Sequence, residues 1–262
     1  MFIDSHCHLD RITDDPRELE SIVDDAHASG VQHMLCVAVS VREFEQMYAR
    51  VKGFDNVSVS CGVHPLHQED ACEKSVLKSF AAKSNVVAVG ETGLDYYYSA
   101  ESKSIQLTSF RGHIEVANEL NKPLIIHTRN AQEDTLSLLE KHYNPKTGAV
   151  LHCFTESKEM AMAAIDMGIY ISISGIVTFK SAKDLQETVR AIPLDKLLIE
   201  TDSPWLAPVP YRGKTNQPKY VKQVAEFIAH LKGITVEELA SATTKNFYDL
   251  FSMISEKKSI KA

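Results

Sequence analysis

Short apolar runs alternate along the chain with longer stretches of mixed polarity. The runs Met1–Ser5, Val31–Val39, Val57–Cys61, Val86–Gly90, Pro123–Ile126, Ala149–Leu151, Ile169–Ser172 and Leu197–Ile199 are candidate strands. Each is rich in Val, Ile and Leu and bounded by turn residues, as expected of strands buried on both faces. Between them, apolar residues recur at helical spacing. Phe110, Ile114, Ala117 and Asn121 mark a helix between the fourth and fifth runs, with an apolar face broken only at its end. Pro16 after Asp14-Asp15 opens the first helix, because a first-turn proline gives up only an amide that has no helical partner. Thr235 and Glu238 have the spacing of a capping box for a late helix, whose apolar pattern continues through Leu239, Phe247, Leu250 and Phe251.

Strand and helix alternate about eight times at intervals of roughly 20 to 35 residues, the signature of βαβ units in a parallel sheet. Eight such units in about 250 residues predict a closed (β/α)8 TIM barrel rather than an open doubly wound sheet. No G-x-G-x-x-G follows a strand, which removes the main support for a dinucleotide fold. No low-complexity linker divides the chain, so residues 1–262 are expected to form one domain. The exception to the regular spacing is Ser203–Pro218, which holds four of the nine prolines and the only tryptophan, Trp205. A segment this long without regular structure is more often functional than idle. It would lie over the C-terminal mouth of the barrel.

Composition narrows the setting. Hydrophobic residues make up 44% and charged residues 24%, ordinary globular values that exclude disorder, collagen and a coiled coil. The five cysteines (Cys7, Cys36, Cys61, Cys72, Cys153) are odd in number, far apart and never C-x-x-C. That argues against a disulfide framework or a thiolate zinc site, and for a reducing compartment. The opening residues have neither the basic nor the apolar region of a signal peptide, and no run approaches the roughly 18 apolar residues of a membrane helix. A soluble, cytoplasmic protein without membrane contact is expected, and no obligate protein partner is evident. The net charge is −7. A protein that grips nucleic acid by bulk electrostatics is usually basic, so action on phosphates would need a metal or a local cluster to supply positive charge.

The chemistry sits where the runs end. In His6-Cys7-His8 the two histidines share a face of an extended backbone while Cys7 points away. Alone, that motif reads as a pair of structural histidines. It is not alone: Glu91, His127, His152 and Asp202 each stand just after another apolar run. In a parallel barrel all these ends lie on one rim, the rim that carries active sites. Four histidines and two carboxylates suit Zn²⁺, Mn²⁺, Fe²⁺ or Mg²⁺ and exceed the needs of one tetrahedral ion. Two ions bridged by Glu91 would use the whole set.

With these residues in place, the chain resembles the TatD family of metal-dependent hydrolases, in the amidohydrolase-like superfamily. The resemblance rests on Asp4-Ser5-His6-Cys7-His8-Leu9-Asp10, Gly62-Val63-His64-Pro65, Gly90-Glu91-Thr92-Gly93-Leu94-Asp95, His127-Thr128-Arg129, His152-Cys153-Phe154 and Glu200-Thr201-Asp202-Ser203-Pro204. These motifs follow in order from Asp4 to the Asn246-Phe247 region. The resemblance implies a TIM barrel, one to three divalent ions and 3′→5′ deoxyribonuclease or general phosphoesterase chemistry. It puts the metal ligands at His6, His8, Glu91, His127, His152 and Asp202. Glu91 stands where the wider superfamily carries a carboxylated lysine.

Substrate contacts are less sharply marked. His64 is either a capping histidine or a phosphate contact. Arg129, two residues past His127, can clamp a phosphate in a bidentate fork or form a rim salt bridge. Arg212, Lys214 and Asn216 are substrate contacts or a solvated turn, and Tyr96, Tyr97 and Tyr98 stack on bases or pack a loop. Glu200 shares the face of Asp202 and would support the ligands from behind. The expected chemistry is metal-assisted hydrolysis of a DNA phosphodiester, with Asp202 and Glu91 as the catalytic carboxylates and Asp202 deprotonating the attacking water. An amide or ester hydrolase acting on a small metabolite or aminoacyl ester is the alternative, since fold does not fix substrate. A metal-stabilised binding scaffold is the third reading.

Overall fold

Every one of the eight apolar runs becomes a strand of one parallel sheet in the computed structural model, which describes residues 1–70 and 72–254. The strands are β1 (Phe2–Cys7), β2 (Val31–Cys36), β3 (Val57–Cys61), β4 (Val86–Asp95), β5 (Leu124–Arg129), β6 (Ala149–Leu151), β7 (Tyr170–Ile173) and β8 (Leu197–Ile199). They pair in chain order, each parallel to the next. Helices α1 (Pro16–Ala28), α2 (Phe44–Val51), α3 (Lys74–Ala81), α4 (Lys103–Leu120), α5 (Gln132–His142), α6 (Lys158–Asp166), α7 (Lys183–Ala191) and α8 (Val221–Lys232) follow the strands in turn, and α9 (Val236–Leu250) completes the order. This is the (β/α)8 barrel that the alternation predicts. The single unit expected over 1–262 extends past residue 254 into positions outside the described residues.

Local signals act as their chemistry dictates. The Asp15 side chain accepts from the Arg17 amide with Pro16 in the first turn of α1, and the Thr235–Glu238 capping box is complete at the start of α9. Asn121 does not extend the apolar face of α4; it caps the helix in the left-handed conformation, at φ 50°, where its short polar side chain is tolerated. The main core lies between sheet and helices. Inside the barrel, Ile3, Leu35, Val37, Ile125, Val150 and Leu198 meet Phe247, Leu250, Phe251 and Ile254 in one buried cluster. Asn246 fixes α9 there by donating to the Leu194 and Leu197 carbonyls. The end of the barrel opposite the mouth is therefore filled with apolar side chains.

Strand ends differ from the expected ones at the rim. β2 stops at Cys36 rather than Val39, and β7 spans Tyr170–Ile173 rather than Ile169–Ser172. β1 and β5 run on past the expected limits, so His6 and His127 lie within strands and not beyond them. The largest difference is β4, which continues from Gly90 to Asp95. Its pairing with β5 shifts between Val89 and Thr92 and then resumes through Asp95↔Arg129. Gly90 and Gly93 permit this passage. Their φ angles are 144° and 137°, and a Cβ at Gly93 would sit 1.9 Å from the His127 carbonyl oxygen. Apolar content marks only the first half of this strand because its second half is made of glycines and functional side chains.

No ladder joins β8 back to β1 among the described residues. Other bonds close that seam: the Asp202 amide donates to the His6 carbonyl at 3.0 Å and the His8 amide to the Ser203 carbonyl at 2.8 Å. Beneath them the buried Asp4 carboxylate accepts from the Thr201 amide (2.8 Å) and hydroxyl.

His113 on α4 supports the same rim from outside. Its Nδ1–H donates to the Ser109 carbonyl, and its Nε2 accepts from the Val63 amide at 3.0 Å, just before His64. Burial lowers its pKa to about 4, and a proton on Nε2 would oppose the Val63 N–H. The unfolded chain, with a histidine pKa near 6.5, therefore binds more protons between these values. The stabilisation is complete above pH 6.5 and is lost as pH falls toward 4, by about 2 kcal/mol at pH 5 from this residue. Urea denaturation at pH 7 and pH 5 should show this loss and a shallower one in His113→Gln. Equal losses in both proteins would remove His113 from the account.

Candidate active site

All eight strand ends contribute to one cavity of about 720 Å³ at the barrel mouth. His8 and Arg11 come from the end of β1, Val39 from beyond β2, and His64 and Leu66 from beyond β3. Glu91, Asp95 and Tyr98 come from β4 and its loop, His127 and Arg129 from β5, and His152 and Cys153 from beyond β6. Ile176 follows β7, and Asp202, Trp205 and Leu206 follow β8. Cys153 and Asp202 adopt φ of 43° and 55°, a backbone state that costs of order 1–3 kcal/mol outside glycine and clusters at functional sites.

Glu91 lies at the centre and is buried. Its Oε1 is 2.6 Å from His152 Nε2, 3.2 Å from His64 Nε2 and 3.4 Å from His127 Nδ1. Its Oε2 faces the other way, 3.3 Å from His6 Nε2 and 3.7 Å from His8 Nε2. Asp202 Oδ1 closes that second group, 3.4 Å from His8 Nε2 and 3.8 Å from His6 Nε2. Burial alone would raise the Glu91 pKa, but His152, His64 and the hydrogen bonds from His127 and His152 outweigh it and hold the carboxyl well below its usual range. Asp202 is likewise held low, its burial outweighed by His8 and His6. Against burial, Asp202 and Glu91 raise the pKa of His8, Asp95 and Glu91 that of His127, and Glu91 and Glu200 that of His152, while burial and His152 lower that of His6.

For His8, His127 and His64, a partner on the far ring nitrogen fixes which face of the imidazole is open. His8 Nδ1 lies 2.8 Å from the Val37 carbonyl, so this nitrogen carries the proton and Nε2 presents a lone pair to the site. His127 Nε2 donates to Asp95 Oδ2 at 3.0 Å, leaving Nδ1 open toward Glu91. His64 is the reverse. Its Nδ1 accepts from the Leu66 amide, so its proton is on Nε2 and points at Glu91. His64 therefore acts as a hydrogen-bond donor here and not as a ligand, although its atoms lie close enough to group with Glu91 and His127.

The donor set fits divalent ions. Ligand atoms of His6, His8 and Glu91 lie within 4.8 Å of one another, as do those of His6, His152 and Asp202. His6 Nε2 and His8 Nε2 face each other at 3.1 Å, a juxtaposition of ring nitrogens suited to a shared cation. The cavity carries three carboxylates against two guanidinium groups, and Arg11 is already paired with Glu43. An anion would enter such a mouth only with additional positive charge present.

The remaining expected residues divide into two groups. Arg129 lines the cavity, makes no ion pair among the described residues, and lies 4.3 and 4.7 Å from the ring centroids of Tyr97 and Tyr98. Trp205 also lines it, with its ring edge against His8 at 5.1 Å. Tyr96 instead packs against the core and donates to Asp134. Arg212 and Lys214 are exposed and outside the lining; the Arg212 guanidinium lies over Phe179 and the Lys214 ammonium near Tyr211. Asn216 is buried and ties the loop down by donating to the Thr201 and Trp205 carbonyls. Glu200 is buried behind His152, 3.4 Å from its Nδ1, and accepts from the Cys153 amide.

Asp95 was given no role by the sequence reading. Besides orienting His127, its other oxygen accepts from the Tyr97 and Tyr98 amides at 3.0 and 2.8 Å, so one carboxylate positions both a donor to the cluster and the aromatic rim. The signal was the spacing Glu91, Gly93, Asp95, which shares one strand face once β4 is extended. Asp4 carries the same signal relative to His6 and His8.

A parallel (β/α)8 barrel with this donor set at its mouth belongs to the class of metal-dependent barrel hydrolases. The chain is a member of the family described as TatD related DNase, whose model matches residues 3–252. It is 52% identical over 253 residues to the uncharacterized metal-dependent hydrolase YcfH of Escherichia coli K12, covering 95% of each chain. It is 34% identical over 244 residues to the 3′-5′ ssDNA/RNA exonuclease TatD of Escherichia fergusonii, covering 90% of this chain and 94% of that one. The crystal structure of YJJV, a TatD homologue from Escherichia coli K12, matches with a TM-score of 0.90 at 27% identity, over 96% of this chain and 98% of that one.

Asp95→Asn should keep the fold and lower divalent-metal affinity about 10- to 100-fold, because His127 loses the acceptor that fixes its tautomer. Calorimetric titration of the metal-free protein with Mn²⁺ measures this; unchanged affinity would show that Asp95 does not orient a ligand.

Proposed function

We propose that the chain is a divalent-metal-dependent hydrolase that cleaves DNA phosphodiester bonds, removing nucleotides from a 3′ end. The observation that carries this reading is Glu91, whose two oxygens face two separate donor groups in a mouth that also holds the unpaired Arg129. The family, and the name of the Escherichia fergusonii relative, support nuclease chemistry. His6, His8, Glu91 and Asp202 would hold one ion, and Glu91, His127 and His152 a second. Zn²⁺, Mn²⁺, Mg²⁺ and Fe²⁺ all suit such a set. When bound, such ions lower the pKa of a coordinated water and offset charge developing on phosphoryl oxygens.

The side chains supply the rest. Asp202 stays ionised at neutral pH and faces the cavity, so it accepts the proton of the attacking water. Arg129, held by Tyr97 and Tyr98, orients the nonbridging oxygens through its planar fork. His64 keeps its Nε2–H on Glu91 and so holds that carboxylate in place. Buried free thiols at Cys7, Cys36 and Cys61 fit a reducing, cytoplasmic setting. Among the described residues, no helix is long and apolar enough to cross a membrane.

One observation favours the second reading, hydrolysis of a small amide or ester: among the described residues, Arg129 is the one Lys or Arg side chain free of ion pairs in the lining of the mouth. Assays of the metal-loaded protein on single-stranded DNA, bis-p-nitrophenyl phosphate and simple carboxylic esters separate the two readings. Asp202→Asn should retain metal and lose about 10²- to 10⁴-fold in kcat, the usual range for a positioned general base. Arg129→Ala should retain metal and weaken phosphodiester turnover. Near-normal turnover of a metal-loaded Asp202→Asn would assign the base elsewhere, and full activity of Arg129→Ala on DNA would remove the phosphate clamp.

A further inference from the structure

The cavity combines a polar cluster with apolar side chains. Val39, Leu66, Ile176 and Leu206 line it beside the histidines and carboxylates, and the partly exposed Tyr98 and Trp205 line it as well. Tyr98 follows β4 and is 61% exposed; Trp205 follows β8 and is 49% exposed. Strands β4 and β8 are four places apart in an eight-stranded barrel, so these rings flank the mouth from opposite sides. Exposed large aromatics forfeit the burial that usually stabilises them. Both are nevertheless held by their backbones. The Trp205 amide donates to the Asp202 carbonyl and its own carbonyl accepts from Asn216, while the Tyr98 amide donates to Asp95. With the backbone fixed in advance, only the side-chain torsions remain to be ordered when such a ring stacks on a flat ligand.

The charge is as local as the aromatics. Among the described residues, Arg129 is the lining Lys or Arg side chain free of a carboxylate partner, and Arg212 and Lys214 lie outside the lining. A long polyanion bound along its backbone would need a row of such cations. From this combination we infer that the enzyme recognises only the terminal one or two nucleotides of its substrate: Trp205 and Tyr98 stack on bases, and Arg129 takes one phosphate. Dinucleotides and short single-stranded oligonucleotides are then as good substrates as long strands. Water adds across one P–O bond, leaving a hydroxyl on one product and a phosphate monoester on the other. This rests on the phosphodiesterase reading above.

The test compares kcat/KM for thymidylyl-thymidine, a pentanucleotide and a twenty-nucleotide single strand at fixed Mn²⁺ and varied NaCl. The inference predicts values within about threefold of one another and a log–log salt slope near −0.7, that of one phosphate contact. Trp205→Ala should lower kcat/KM about tenfold on all three, through KM, with bound metal unchanged and Trp205→Phe restoring most of the loss. A twenty-nucleotide strand favoured about tenfold or more, with a slope near −2, would indicate a track through Arg212 and Lys214 and overturn the inference. An unaffected Trp205→Ala would overturn it as well. Cleavage of esters but of no phosphodiester, bis-p-nitrophenyl phosphate included, would overturn the phosphodiesterase reading itself, and the inference with it.

Discussion

A buried carboxylate is the feature that the rest of this barrel serves. Removing an ionised carboxyl from water costs several kcal/mol unless partners replace the lost hydration. Glu91 obtains those partners from β1 and the residue after it, from β5 and from the segments after β3 and β6, five imidazoles in all. Only a parallel barrel brings that many strand ends to one point, and only an irregular β4 turns this side chain into the middle of them. The glycines at 90 and 93, the shifted pairing with β5 and the long buried second half of the strand all follow from that requirement.

The same requirement explains the seam between β1 and β8. His6 lies in the first strand, His8 just past its end and Asp202 in the segment after the last, so their grouping depends on a junction that no ladder spans among the described residues. Backbone bonds from Asp202 to His6 and from His8 to Ser203 hold it, with the Asp4–Thr201 clasp below. Asn216 then pins the long loop over this junction. Outside the donor cluster, Asp95 joins His127 to the aromatic rim, so the chemistry at the floor and the surface that meets a ligand are oriented by one side chain.

The barrel and its donor residues were legible in the sequence because both depend on simple spacing. Apolar runs located eight strands, and polar residues just after five of them located the rim. Strand limits were less legible where function replaces apolar content: β4 past Gly90 reads as loop but forms strand. Spacing within a strand puts Asp95 and Asp4 on the face of the donor residues, but the partners that define their roles, and that of His113, lie on other segments, which such spacing does not report. Arg212, Lys214 and Asn216 looked equivalent in the loop, yet one is buried as a tether and two are exposed. The conformation of a proline-rich segment decides such differences, and composition does not encode it.

On the proposed reading Glu91 would join two ion-binding half-sites, and Mn²⁺ loading of the metal-free chain tests this most directly. Metal analysis together with electron paramagnetic resonance of the loaded protein should give two ions per chain with an exchange-coupled signal, and Glu91→Ala should lose the coupling together with most of the bound metal. A wild-type protein that saturates with one uncoupled ion, or a Glu91→Ala variant that keeps a coupled pair, would contradict the account.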